Sequence, residues 1–469
     1  MEWDHPAWFM EMRLGKTLVA IRWAIAKGLR TIIVMAPVTV LEAWEAELRR
    51  EGETIVTAYG KNQIGRDLAV IRAFGAGRRT WLLMNYEAFL ASAPVKLSRR
   101  RRWKDGKMEE YLKRSYLLPH MAKIPWDAVI LDESTRIKSP AAWTSILLCE
   151  GFREARHRAI LSGLPTPEGE LDAVQQMIFL DGHCMGFRNY YHLRDKLFTQ
   201  DYNGYGWYPK PGTAMRMRTY LHRRAFFKRR ADAGMPELKV YHKRQILPCP
   251  RLRRLHEQVE EEYAIDLISG GVRETGWKLE QVSWLRHLAG GFDPERNLID
   301  DGLLKELMVL LKGELSQQKV VVWFAFRHEV EFVRQALLKA KIPCASILGG
   351  DSLLSRKAAM EAFRGRGARI LLATAEVAKY GSDYSVADAE IYYSNPWSCE
   401  ARAQSEDRLY HPLKKTNILI VDLVFKGLIG EGVLAKVKKK VWKAQHMMKS
   451  VDQLVLERRY ERADRRANK

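Results

Sequence analysis

The sequence predicts an α/β chain of two lobes, each a parallel sheet flanked by helices, with a helical insertion and a basic C-terminal tail. Three observations carry that expectation. Short apolar runs rich in β-branched residues fall in two groups of four, helical periods closed by glycine lie among them, and the rhythm breaks over 181–300. Continuous apolar runs alternating with helices are expected of strands buried on both faces, as in parallel sheets.

The first group of runs is 31–36, 81–86, 128–132 and 158–162. Helices are expected over 16–27, closed by Gly28, and over 40–50, closed by Gly52, because glycine takes up the left-handed cap after a helix at little cost. The second group is 319–324, 369–374, 389–394 and 417–423. Between the groups, 201–213 is rich in Gly, Tyr and Pro, and the region near 255–268 is Glu-rich with a helical period. The expected organisation is a first lobe over 1–239 with a mostly helical, hinge-bearing insertion from about 181, a second lobe over 240–430, and a basic helical tail over 431–469. Tyr205, Trp207 and Tyr208 read first as loop packing and second as a stacking platform.

Composition narrows the function classes. The chain has 469 residues, 47% hydrophobic and 29% charged, which is globular usage. Its five cysteines, Cys149, Cys184, Cys249, Cys344 and Cys399, are far apart and contain no C-x-x-C, so neither a disulfide framework nor a zinc knuckle is expected. No apolar run approaches a membrane span of roughly 18 residues, and the opening Met-Glu-Trp-Asp is acidic. The expected setting is therefore the cytoplasm of a bacterial or phage-infected cell, with no membrane partner.

The net charge of +22 is concentrated in three windows: 96–123 carries +7, 209–230 carries +8 and 430–469 carries +7. Aromatic residues are interleaved in the first two. Concentrated cations with rings that can stack on bases suit a nucleic acid, because neutralising phosphates releases counterions. A solvated basic face is the plainer reading of any single window. Arg99, Arg100, Arg101, Arg102, Arg223 and Arg224 are the expected contacts.

Two motifs carry chemistry. Glu11-Met12-Arg13-Leu14-Gly15-Lys16-Thr17 directly precedes the first expected helix. A phosphate loop needs free backbone N–H groups at a helix N-terminus, a lysine for the phosphates and a hydroxyl for Mg²⁺. Gly15, Lys16 and Thr17 supply these, although the full pattern would have Gly or Ala at Met10. The second motif is the run 126–131 followed by Asp132-Glu133, an apolar strand ending in adjacent carboxylates. Asp132 can hold Mg²⁺ while Glu133 orients and deprotonates a water, as nucleoside triphosphate hydrolysis requires.

With these residues in place, the chain resembles the superfamily 2 helicases, and among them the SWI/SNF-type DNA-translocating ATPases in the small form found in phages and mobile elements. Residues 11–17, 131–138 and 160–165 look like motifs I, II and III, 33–44 like motif Ia, and Asn85-Tyr86-Glu87 like the Ib–Ic region. Residues 319–326 look like motif IV, Thr374 with Gly381-Ser382-Asp383 like motif V, and Gln404 to Arg408 like motif VI. The resemblance covers about 8–430. It implies two RecA-like lobes, ATP and Mg²⁺ as ligands, and completion of the pocket by Gly381, Asp383, Gln404 and Arg408. It further implies DNA as partner, with duplex favoured over single strands, partner proteins of replication, recombination or repair, and a monomeric motor.

Departures from the family pattern are visible. Motif II continues Ser134-Thr135 where Ala-His is usual, Leu164 stands for the Thr of motif III, and His411 stands for the second arginine of motif VI. A glutamine element upstream of motif I is not found, so adenine selectivity is not expected to rest on one. A mostly neutral imidazole would be a poor transition-state cation, leaving Arg408, Lys414 or Lys415 to supply the charge. A DNA-binding protein with a decayed or slow ATPase is the alternative reading, and a basic scaffold protein a third.

Overall fold

The computed structural model describes residues 4–449 except 105–106, 202–205, 267–271, 275–277, 376 and 378–382. The chain divides into two compact units, Met1–Gly234 with Lys443–Lys469, and Met235–Trp442.

The first unit opens with β1 (Ala7–Met10), α1 (Lys16–Ala26), β2 (Thr31–Met35), α2 (Val38–Arg50), β3 (Thr54–Thr57), α3 (Gln63–Gly75), β4 (Thr80–Met84) and α4 (Tyr86–Ala91). An antiparallel ribbon of β5 (Val95–Lys104) and β6 (Lys107–Tyr116) follows. Then come β7 (Ala128–Asp132), α5 (Trp143–Gly151), β8 (His157–Ser162), α6 (Asp172–Asp181) and α7 (Tyr190–Leu197). A short antiparallel pair, β9 (Phe198–Gln200) and β10 (Trp207–Pro209), leads to α8 (Thr213–Arg224) and β11 (Phe226–Lys228).

The seven-stranded sheet has the order β11-β1-β8-β7-β2-β4-β3, and every pairing is parallel. Alternate strand residues feed two cores. Ile33, Met35, Leu82, Val129 and Leu131 join one with α3, α5, α6 and α8. Ile32, Val34, Leu83, Ala128 and Ile130 join the other with α1 and α2. Burial on both faces is why these strands are apolar throughout.

The second unit contains β12 (Lys239–Ile246), α9 (Pro250–Glu262), the short antiparallel pair β13 (Ala264–Asp266) and β14 (Val272–Glu274), α10 (Lys278–Ala289) and α11 (Gly302–Lys312). It continues through β15 (Val320–Phe324), α12 (Arg327–Lys339), β16 (Cys344–Ile347), α13 (Leu353–Arg364), β17 (Ile370–Thr374), β18 (Ala389–Tyr392), α14 (Cys399–Arg408) and β19 (Ile418–Phe425). Its six-stranded sheet, also parallel throughout, runs β12-β19-β18-β15-β17-β16. Here Val320, Val322 and Phe324 face one core and Val321 and Trp323 the other. The final helix, α15 (Ile429–Met447), buries Val433 and Val437 against Cys399. Met447 and Met448 belong to the core of the first unit. Residues 450–469 of the expected tail lie outside the described residues.

All eight runs named from the sequence are strands, with ends shifted by a residue or two. Helices dominate 181–300 as read, but β11 and β12 within it are edge strands, one in each sheet. The sequence reading also lacked β1, β3, β16 and the β5–β6 ribbon. No described helix is long and apolar enough to cross a membrane.

Candidate nucleotide site and nucleic-acid interface

In the first unit, β1 delivers the loop 11–15 to the N-terminus of α1. Gly15 caps that helix at φ 77, a left-handed geometry that only glycine adopts freely. Arg13 also takes a positive φ, 69, which explains why glycine is common at this point in related loops. The loop is anchored to the sheet edge: Glu11 N–H donates to the Lys228 carbonyl at 3.0 Å, and Arg230 N–H donates to Glu11 Oε2 at 2.7 Å. Lys16 Nζ folds back onto the loop, donating to the carbonyls of Met10 at 2.9 Å and Glu11 at 3.3 Å. Gly163 of the motif III stretch borders it, since a Cβ there would stand 3.6 Å from Lys16 Nζ. Thr17 follows, half-buried, in the first turn.

Asp132 ends β7 and is 3% exposed. Burial pushes its carboxyl above the ordinary range, while the Lys16 charge, the Trp44 indole and the Glu133 amide pull it back. Trp44 Nε1 donates to Asp132 Oδ2 at 2.9 Å, and Glu133 N–H donates to Oδ1 at 2.8 Å. Glu133 sits at φ 51, so the chain turns sharply just past the strand. Tyr86 of the Ib–Ic stretch donates its hydroxyl to the Asp132 carbonyl at 2.8 Å.

The Ser134 substitution in motif II finds its own route to motif III. Ser134 Oγ donates to Gln176 Oε1 at 2.6 Å, and Gln176 Nε2 donates to the Pro165 carbonyl at 2.8 Å. Sequence reasoning missed both Trp44 and Gln176. Neither lies in a motif that advertises a polar role, and both act through spatial neighbours 88 and 42 residues away.

In the second unit, Thr374 ends β17, and Gly381 and Ser382 lie outside the described residues. Asp383 Oδ1 accepts from Ser385 N–H at 3.0 Å, closing the turn. α14 carries the motif VI residues. Gln404 is 6% exposed and its Nε2 donates to Glu400 Oε1 at 3.3 Å. Arg408 ends the helix, half-buried, and its carbonyl accepts from Tyr384 N–H at 3.1 Å, which ties motif VI to motif V.

The helix is held from below by Arg402, also missed from the sequence. Its guanidinium donates to Glu406 at 2.7 Å, and to Asn395 and Asp422 at 2.5 Å each. It lies 3.4 Å above the Tyr392 ring. His411 Nδ1 accepts from Leu413 N–H at 3.2 Å, within its own turn. Lys414 donates to the carbonyls of Ser385 and Ala387. Lys415 is exposed.

The SNF2-related domain family matches residues 9–256, just over half of the chain, and the helicase conserved C-terminal domain matches 302–412. The chain belongs to the SNF2-related domain family. Its lobes are those of a helicase-like ATPase. The human chromatin-remodeling ATPase INO80 is 23% identical over 148 residues, which are 31% of this chain and 10% of that protein. The chain thus spans about a tenth of that curated relative. The Sulfolobus solfataricus SWI2/SNF2 ATPase core, solved with double-stranded DNA, is 15% identical at a TM-score of 0.40, over 94% of this chain and 90% of that one.

On this SNF2-related scaffold the expected nucleic-acid contacts separate. Arg99 is exposed on β5, and Arg100, Arg101 and Arg102 follow along the strand opposite Tyr111, Glu110 and Glu109. Arg223 is exposed near the end of α8. Arg224 has partners within the lobe. Its guanidinium pairs with Asp181 at 2.5 Å and donates to the His5 carbonyl at 2.6 Å, so it fastens α8 to α6. Trp207 lies beneath the Arg194 guanidinium at 3.9 Å, Tyr208 is 61% exposed, and Tyr205 falls outside the described residues.

Proposed function

We propose that this chain is a nucleic-acid-stimulated motor that hydrolyses ATP with Mg²⁺ and steps along DNA, duplex in preference to single strands. The observation that carries the proposal is a loop after β1 bearing Lys16 and a buried Asp132 at the end of β7, in a family of helicase-like ATPases. β1 and β7 are parallel strands that both flank β8, and the Lys16 charge acts on Asp132. The residues fit the group. A deeply buried carboxylate with a lysine charge acting on it, beside a helix N-terminus capped by glycine, is the donor set for a Mg²⁺-bound polyphosphate. Mg²⁺ would supply charge neutralisation on the phosphates, with the Thr17 hydroxyl and Asp132 holding it.

The chain's own residues do the rest. The first-turn amides of α1 and the Lys16 ammonium bind phosphate oxygens. Trp44 and the Glu133 amide orient the Asp132 carboxylate and favour its charged form against the burial that opposes it. Glu133 orients a water and takes its proton. Arg408, with Gln404, Gly381 and Asp383, would supply the second lobe's share, a cation that stabilises the charge of phosphoryl transfer. Thr374 and the arginines of β5, with Arg223, would contact the nucleic-acid backbone.

One observation favours the alternative, a DNA-binding protein with a slow ATPase. His411 Nδ1 is used as an acceptor in its own turn, and Lys414 is held on backbone carbonyls, so neither offers a ready cation. Phosphate release from ATP, measured without DNA and with single-stranded, duplex and forked DNA, separates the two. Turnover that DNA does not raise defeats the motor reading.

A further inference from the structure

Three arginines are buried among the described residues: Arg66, Arg158 and Arg402. Arg66 donates to Ser92 Oγ at 2.7 Å, to the Lys61 carbonyl at 2.6 Å and to Gln63 Oε1 at 2.8 Å. Arg402 serves Glu406, Asn395 and Asp422. Arg158 differs. It is 8% exposed, its Nε is buried, and its side chain has no hydrogen bond or ion pair among the described residues. A guanidinium cannot shed its charge, so burying one without a partner is costly until an anion completes the site.

The surroundings leave that charge unanswered. Burial pushes the Arg158 guanidinium below its ordinary value, and Asp181 is the charge that most opposes the shift. Both Asp181 oxygens, however, are taken by Arg224, Nε to Oδ2 at 2.7 Å and Nη2 to Oδ1 at 2.5 Å. Glu154 is exposed and stands 4.0 Å from Arg153. The Cys149 thiol is pushed by burial to about 12 and stays uncharged. The His5 ring completes the cluster. Burial, and after it the Arg158 charge, push its imidazole below the ordinary value, so it is neutral. Its Nδ1 accepts from Arg158 N–H at 3.1 Å, which leaves the ring proton on Nε2, without a partner among the described residues.

We infer that Arg158 and the His5 Nε2–H, where two guanidiniums face the single carboxylate of Asp181, form a binding site for a small phosphate-type oxyanion. The planar fork of a guanidinium matches two oxygens of such an anion, and the imidazole N–H adds a third donor. The site is separate from the phosphate loop. Arg158 stands near the start of β8 and His5 just before β1, at the end of the parallel sheet opposite the loop that follows β1. Gly163, which borders Lys16, lies five residues of extended chain beyond Arg158, ~16 Å away. The inference is therefore independent of the motor reading.

The test uses the full chain in a Lys16→Ala background, which removes the loop's own phosphate-binding lysine. Binding of radiolabelled inorganic phosphate is measured by equilibrium dialysis at constant ionic strength, with acetate and chloride as competitors. The parent should bind a single phosphate saturably. R158M, of similar length but uncharged, should weaken it by at least about tenfold, since a hydrogen bond to a charged group is worth that much. R158K keeps the charge without the fork and should lose less. In phosphate-free chloride R158M should melt no lower than its parent, because an apolar side chain replaces an unpaired buried charge. Phosphate should raise the melting temperature of the parent and not that of R158M. No saturable binding by the parent, equal affinity in R158M, or competition by acetate as strong as by phosphate itself each overturn the assignment. So does an R158M chain that melts well below its parent in chloride, since the guanidinium would then be satisfied within the fold.

Discussion

Arg402 should prove to be the keystone of motif VI. Its side chain is 1% exposed, and its guanidinium serves Glu406, Asp422 and Asn395 while lying on Tyr392. Arg402→Ala removes all of these at once. Glu406 would keep Lys239 at 3.1 Å and the Tyr241 hydroxyl at 2.8 Å. Asp422, fully buried, would keep only Lys438 at 2.8 Å, whose own side chain is 41% exposed. Breaking a buried ion pair costs about 3–5 kcal/mol, and the surviving partners put this case near the low end, about 3. At about 2–4 °C per kcal/mol for a unit of this size, the transition of the second unit should fall by roughly 6–12 °C. Calorimetry on the full chain measures it.

Arg402→Lys should lose less, because it keeps the charge but not the planar fork. Adding Asp422→Asn to Arg402→Ala should recover part of the loss, since it neutralises the carboxylate left without its main partner. Turnover should drop with the melting temperature, as Gln404 and Arg408 lie on the same helix. If Arg402→Ala melts within about 2 °C of wild type, roughly half to one kcal/mol, the network does not hold the helix and the reasoning fails.

Other expectations follow from the two sites. Lys16→Ala should abolish ATP turnover and spare DNA binding, and Glu133→Gln should bind ATP without hydrolysing it, both read by phosphate release and nucleotide retention; wild-type turnover in Lys16→Ala refutes the pocket assignment. His411→Arg should leave maximal turnover close to wild type while Arg408→Ala is inactive, because His411 is committed to its turn; a large gain in His411→Arg would make it the second finger after all. Glu329, wholly buried, has its carboxyl pushed by burial to about 7, above the ordinary 4.5. The native state therefore holds a proton that the unfolded chain releases, so stability falls as pH rises from about 4.5 towards 7 and levels off above that. Glu329→Gln should flatten that slope, by up to about 3 kcal/mol at 1.36 per pH unit, in urea titrations at pH 5 and pH 8.

What could be read from the sequence was what is local along the chain. The central strands announce themselves because burial on both faces forces unbroken apolar runs such as Ile32–Val34 and Val320–Phe324. The edges do not. β12 reads Lys-Val-Tyr-His-Lys-Arg-Gln-Ile, a mixed pattern suited to a strand with one solvated side, and β11 is three residues long. The β5–β6 ribbon hid inside a charge window, because its alternation becomes visible only once the register is known. Phosphate-loop and strand-end acids were legible since their chemistry is contiguous. Trp44, Gln176 and Arg402 were not, although the Arg402–Glu406 spacing of four is a helix-pair signal that could have been taken up.

That division has a physical consequence for how such a motor would work. On the proposed reading, the first-lobe pocket sets one ammonium, Lys16, against two adjacent carboxylates, Asp132 and Glu133. Burial pushes the Asp132 carboxyl up, and the Lys16 charge with two neutral donors, the Trp44 indole and the Glu133 amide, pulls it back and orients it. On that reading, a polyphosphate entering this pocket brings negative charge beside two carboxylates. Mg²⁺ answers for the phosphates in the ground state, but the charge that develops during transfer calls for one more donor, placed only when needed. α14 is built for that: it is clamped along its buried face by Arg402, Glu406 and Lys239, and it ends in Arg408, so the cation sits on a rigid mount and not on a mobile loop. A rigid mount fixes where the Arg408 guanidinium stands, which is what a preorganised donor to a developing charge requires.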